Sequence, residues 1–218
     1  IDAARGYGNS EGVLARPLAD PDAPLILSTR LGGRPQPFRP RDRDDPLASM
    51  EESLRLLGRD RVDILMIHEP DRPGQYDWWT DWEHFTGPVL DVLDQLKRDG
   101  VIRFTGLGGT TAYELPHIID TGRFDVVLTA FNYSLLWREA EIAVLPAAKA
   151  QGMGIIIGSP LQQGARLCTL PQPAADHQRV GFPECGFEQR PCFLCKGSIH
   201  ADRHRRVRRD IAILPGAD

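Results

Sequence analysis

Strand-like and helix-like stretches alternate along the first three quarters of the chain, and this alternation limits its fold more than any other feature of the sequence. Short aliphatic or β-branched runs, "PLILSTR" (24–30), "VDILMIHE" (62–69), "VIRFTGLGG" (101–109), "DVVLTAFN" (125–132) and "GIIIGSPL" (154–161), read as buried strands. Longer amphipathic segments lie between them: 45–58 ended by Gly58, 87–100 ended by Gly100, 111–122, and 138–152 with Pro146 inside. Ile1–Ala3 reads as the end of a further strand. The turn formers Gly6, Gly8 and Asn9 follow it, then a helix with Ser10 as N-cap, Glu11 in its first turn and Val13, Leu14 and Leu18 on one face. Repeated βα units predict parallel strands joined by right-handed crossovers. Six strand ends, with no glycine-rich dinucleotide fingerprint after the first, fit most of an α/β (β/α)8 TIM barrel better than a doubly wound sheet.

Composition narrows the partners. The 218 residues are 41% hydrophobic, enough for a well-buried core, and a net charge of −4 gives no reason to expect nucleic acid or membrane. No apolar run approaches the ~18 residues of a spanning helix, so a soluble, cytoplasmic protein is the expectation. Only Lys97, Lys149 and Lys196 are lysines among the 26 basic residues, so a cation needed at a site is expected to be arginine.

Protic and charged side chains stand at or just past successive strand ends: Asp2 and Tyr7, then Arg30, then His68. Such positions converge on one mouth of a parallel barrel. A phenol is a poor acid at its free pKa of about 10, but a neighbouring cation stabilises the phenolate and lowers that value. A carboxylate would hold the cation, and a histidine could share the proton or orient a carbonyl oxygen. That set suits carbonyl–alcohol interconversion. Singly, each residue has a structural alternative: a cap, a packed aromatic, a surface ion pair, a buried histidine bonded to backbone. Trp78, Trp79 and Trp82, in the insert "GQYDWWTDWEHF" (74–85), either wall a substrate pocket or pack their loop onto the rim.

Several ordered motifs are similar to those of the aldo-keto reductases. "IDAARGYGNSE" resembles the family's D-x-A-x-x-Y-G-x-S-E segment and "LILSTR" its strand ending in S-T-K. "SLRLLGRDRVDILMIHEPD" resembles S-L-x-x-L-x-x-D-x-x-D-x-x-x-x-H, and "LDQLKRDGVIRFTGLGG" resembles L-x-x-L-x-x-x-G-x-I-R-x-x-G. "GMGIIIGSPLQQG" is similar to the strand and loop that close over the cofactor, so the resemblance covers residues 1 to about 165. It implies a (β/α)8 barrel that binds NADP or NAD and transfers hydride between the nicotinamide and an aldehyde or sugar. By matching positions, Tyr7 would be the general acid/base, Asp2 would orient the cation Arg30, and His68 would position the substrate oxygen. Gly108, Gly109, Asn132, Ser159, Leu161, Gln163 and Gly164 would lie along the cofactor.

Three departures accompany the resemblance. Arg30 stands where the family has lysine, keeping the charge but changing its shape. Gly108 and Gly109 replace a Ser-Asn pair and Leu128 a glutamine, while Asn132 remains. The glycine-rich version followed by "FNYSLL" is similar to the L-fucose and D-threo-aldose dehydrogenase branch. The third departure concerns extent: the first βα unit and last helix have no counterpart, so the barrel is expected to be incomplete, with an open edge that favours self-association. The expected divisions are a partial barrel over 1–165, an irregular Cys-, Pro- and Arg-rich segment over 166–209, and a last barrel strand within 210–218. The rival to an active oxidoreductase is a catalytically dead remnant or cofactor-binding module of the same fold.

That irregular segment places Cys192, Cys195, His200 and His204 at C-x2-C-x4-H-x3-H, chemically able to hold Zn²⁺. The x4 spacer is too short for a ββα finger, and no metal is assigned. "RHRRVRR" (203–209) could touch phosphate but reads as a solvated surface.

Overall fold

A computed structural model of the chain describes residues 1–16, 24–33, 36–162 and 213–214. By contact the chain divides after Pro160, and the account below concerns the unit containing Ile1–Pro160. Gln163, Gly164 and the Cys/His motif lie outside the described residues, as does the whole segment 166–209 expected to be irregular.

Five parallel strands form one sheet: β1 (Ser28–Leu31), β2 (Val62–His68), β3 (Ile102–Gly109), β4 (Val126–Ala130) and β5 (Gly154–Gly158). Their spatial order is their sequence order, without the reversal that defines a doubly wound sheet. This is the wall of a (β/α)8 barrel, as the sequence predicts. Residues 1–3 continue it beside β1 through a single parallel bridge, Asp2 to Ser28, with Ala3 N–H donating to the Ser28 carbonyl at 2.9 Å. A short strand β6, Ile213–Leu214, pairs antiparallel with β5, opposite to the direction a closing barrel strand takes.

Each long helix follows from its apolar spacing. Helix α1 spans Ser10–Leu14, α2 Asp44–Leu57 and α3 Pro88–Arg98. In α3, Val89, Val92, Leu93 and Leu96 fall at i, i+3, i+4 and i+7 and are buried. Pro88 begins it where no N–H is needed, and Gly100 beyond its end takes a left-handed φ of 72°. Strand β2 shows the alternation of a sheet with two covered faces. Leu65 and Ile67 join the layer under the helices, whereas Ile64 and Met66 join Val126, Leu128 and Ile156 on the opposite, barrel-interior face.

Four expectations need correction. The strand at 24–30 begins only at Ser28, because Leu25 and Ile26 are exposed. The N-cap of α1 is Asn9, since the Ser10 hydroxyl donates instead to the Ala4 carbonyl at 3.4 Å. The helix at 111–122 shrinks to α4 (Leu115–Ile119), because Asp71 takes the Thr110 and Thr111 N–H groups into a loop. The helix at 138–152 breaks into a 3-10 turn (Glu139–Glu141) and α5 (Val144–Ala150), which leaves Pro146 in a first turn where it costs no hydrogen bond. Among the described residues no helix is long and apolar enough to cross a membrane.

Candidate active site

Strand alternation decides which side chains meet. Arg30 pairs in register with Met66, and His68 with Gly108, so Arg30, His68 and Gly108 share the barrel-interior face at one end of the sheet. Tyr7 reaches the same end from the turn after residues 1–3. The structure therefore brings together all four side chains singled out as chemical.

Arg30 is the hub. It is 3% exposed, and its fork is divided: Nη2 donates to Asp2 Oδ2 at 2.6 Å, and Nη1 to Tyr7 Oη at 2.9 Å and to the Ala3 carbonyl at 3.4 Å. Asp2 is fixed in turn by the Ser28 hydroxyl, which donates to Oδ1 at 2.7 Å. A guanidinium used in this way holds its two partners in a fixed planar geometry, whereas the three donors of an ammonium rotate freely. Tyr7 is 47% exposed as a residue, whereas its partner Arg30 is buried.

His68 stands edge-on to Tyr7, with ring centroids 5.6 Å apart. It is buried, and its Nδ1 has no hydrogen-bond partner among the described residues. Burial first, and then the charge of Arg30, push its pKa down from 6.5 to about 4. The imidazole is thus neutral at ordinary pH, offering one N–H and one lone pair.

The loop after β2 supplies what the sequence reading missed. Tyr76 lies 5.7 Å from His68, ring to ring, with its hydroxyl over Gly33 and Gly6. A Cβ on Gly33 would come within 2.9 Å of that hydroxyl. Burial, and next the carboxylate of Glu69, raise the Tyr76 pKa. Glu69 leaves β2 at a φ of 50° and accepts from the Thr110 hydroxyl at 2.7 Å; burial raises its pKa too. The tryptophans, by contrast, anchor the loop. Trp78 and Trp79 are fully buried, donating to the carbonyls of His68 and Pro70, each at 2.8 Å. Trp82 donates to Asp77. The loop-packing alternative for these residues is the one the structure adopts.

Behind the site, Glu11 is buried between Arg5 Nη1 at 2.8 Å and the Thr29 hydroxyl at 2.7 Å. This brace ties the first helix to β1. Neither partner was evident from sequence, because the pairs are brought together by packing of α1 on the strand.

The residues expected along a cofactor are less concentrated. Gly108 lies against Arg30, and Gly109 faces outward to Asp71 and Leu115. Asn132 is buried, with its amide N–H groups donating to the Thr110 carbonyl at 3.0 Å and the Thr129 hydroxyl at 3.1 Å. Ser159 takes a φ of 53° just past β5, and Leu161 is exposed. Among the described residues no group of three His, Cys, Asp or Glu is arranged to hold a metal.

A profile of the Aldo/keto reductase family matches residues 1–179. The chain belongs to the aldo/keto reductase family. Members generally carry out NAD(P)-dependent carbonyl reduction. A D-threo-aldose 1-dehydrogenase of a Pseudomonas species is 29% identical over 63% of this aldo/keto reductase and 40% of the relative. An NADH-specific methylglyoxal reductase of Escherichia coli is 28% identical over 78% of this chain and 54% of its own length. The chain thus spans about half the length of these curated relatives. Among solved structures, an aldo-keto reductase of Bacillus halodurans in its holo form superposes with a TM-score of 0.60 at 20% identity, covering 82% of this chain and 57% of that one, a likeness of fold.

Proposed function

We propose that this chain carries a tyrosine-dependent carbonyl–alcohol oxidoreductase site, with an aldehyde or sugar as substrate and NADP or NAD as cofactor. The observation that carries the reading is the Asp2–Arg30–Tyr7 chain, in which a buried cation donates to the phenol of an exposed residue. Hydride is what the nicotinamide cofactor supplies when bound. The donor set fits that chemistry, since a hydride acceptor needs a proton donor at its oxygen and Tyr7, an exposed residue, carries a phenol.

In the direction of reduction, Tyr7 gives its proton to the carbonyl oxygen as that oxygen gains charge. Because Arg30 donates to Oη, the phenolate left behind is met at once by a fixed cation. In the reverse direction the phenolate takes the alcohol proton. Asp2 keeps the guanidinium from following the substrate. Neutral His68 can hold the same oxygen through a ring N–H without contributing a second positive charge that would disfavour Arg30.

The D-threo-aldose dehydrogenase relative and the glycine pair at 108–109 favour an aldose-type substrate. The test is a titration with NADPH and NADH, followed by nicotinamide fluorescence, and then turnover of aldoses and of methylglyoxal. Saturable binding with turnover supports the reading. Binding without turnover of any carbonyl or aldose favours the non-catalytic module, and no binding at millimolar cofactor overturns both.

A further inference from the structure

We propose that Gly108 is a positioning residue for Arg30, and that the missing side chain at 108 is what allows one guanidinium to hold Asp2 and Tyr7 together. The proposal concerns the site given a function above, and its test does not need turnover.

Glycine at 108 is not there for its backbone. Its φ lies outside the left-handed region, and it sits inside a regular parallel strand, paired with His68 on one side and Leu128 on the other. Any residue could adopt that conformation. Space is what distinguishes the position. A Cβ built on Gly108 would stand 2.9 Å from Arg30 Nε and 3.2 Å from Cδ, inside the ~3.5–4.0 Å at which heavy atoms rest.

Arg30 has little room to yield. It is buried, and its three hydrogen bonds fix both ends of the fork. A planar guanidinium moves as a unit, so displacing Nε rotates Nη1 and Nη2 off their separate partners. A side chain at 108 must therefore weaken Arg30–Tyr7, Arg30–Asp2 or both. Lysine at position 30 would carry Cε where arginine has Nε, but its stem can turn about every bond with no rigid plane attached, so it can yield to a side chain at 108 and still present its ammonium. Arginine at 30 and glycine at 108 form a coupled pair. The end of β3 accordingly offers no side chain to a ligand and serves as the floor on which the guanidinium lies.

The experiment is spectrophotometric titration of tyrosine ionisation, with Tyr7→Phe identifying the Tyr7 contribution. It compares Gly108→Ser, Arg30→Lys, the double variant and Gly154→Ser. The last is a control on β5, where a Cβ meets nothing nearer than 3.5 Å. We expect Gly108→Ser to raise the Tyr7 titration midpoint by about one pH unit or more as the cation is lost. Adding Gly108→Ser to Arg30→Lys should add almost nothing. A Tyr7 midpoint unmoved by Gly108→Ser, or equal shifts on both backgrounds, overturns the pairing. If Gly108→Ser does not fold, the double variant decides: folded with Arg30→Lys supports the pair, and unfolded overturns it. Coupling without turnover in any variant would retain this inference and count against the catalytic reading.

Discussion

The Arg30 guanidinium donates to the Tyr7 phenol at 2.9 Å while its other terminal nitrogen grips Asp2 at 2.6 Å, so side chains from two segments are joined in one hydrogen-bonded chain. Removing the phenol oxygen should uncouple chemistry from binding. Tyr7→Phe is expected to lower kcat roughly 100- to 10,000-fold, with cofactor affinity close to that of the unaltered chain. Steady-state kinetics beside a fluorescence titration checks this, and retained turnover would move the proton donor elsewhere.

Buried His68 makes stability depend on pH. Its folded pKa of about 4 lies below the 6.5 expected when unfolded. Between these values the unfolded chain binds a proton that the folded chain refuses. The stabilisation is therefore complete above pH 6.5 and is lost as pH falls towards about 4, on the order of 3 kcal/mol in all. Urea unfolding at pH 7.5 and pH 5 should show a steeper loss for the unaltered chain than for His68→Gln. Equal losses would contradict a depressed imidazole.

Glu11 is the counter-ion of a buried arginine. Glu11→Ala would leave Arg5, whose Nε already has no partner among the described residues, with an uncompensated charge in the interior. The expected cost is about 3–5 kcal/mol in denaturant unfolding. Replacing both residues with leucine should recover much of that loss.

Trp78→Phe removes the indole N–H that donates to the His68 carbonyl and so takes a donor from a buried acceptor. The expected destabilisation is about 1–3 kcal/mol. Trp82→Phe, at a half-buried position, should be nearly neutral. Thermal melting of both variants tests whether the loop is held at its first tryptophan.

Much of the barrel wall was legible because alternation in a strand fixes which face a residue takes. "STR" and "MIH" each end on the residue that points inward, and so Arg30 and His68 were found. The ends of elements were less legible. The length of α4 depends on Asp71, a residue about forty positions earlier whose carboxylate captures the loop N–H groups. Tyr76 was overshadowed by the three tryptophans that follow it, and its place against His68 follows from how the loop folds back over Gly33. The role of Glu11 was hidden for a similar reason. Its position suits a first-turn acidic residue, and only the packing of α1 on β1 turns it inward to Arg5 and Thr29.

The anchoring of Trp78 and Trp79 also gives the chain an optical character of its own. Two of its four indoles are sealed from water one loop away from His68, whereas Trp137 is largely in solvent. Excited near the red edge of indole absorption, the chain should emit as two populations, a blue one from the sealed pair and a redder one from Trp137 and the half-buried Trp82. A soluble quencher would strip away the red population first. What remains is a light source built into the rim of the site, whose colour and brightness follow the seating of that loop without any attached dye.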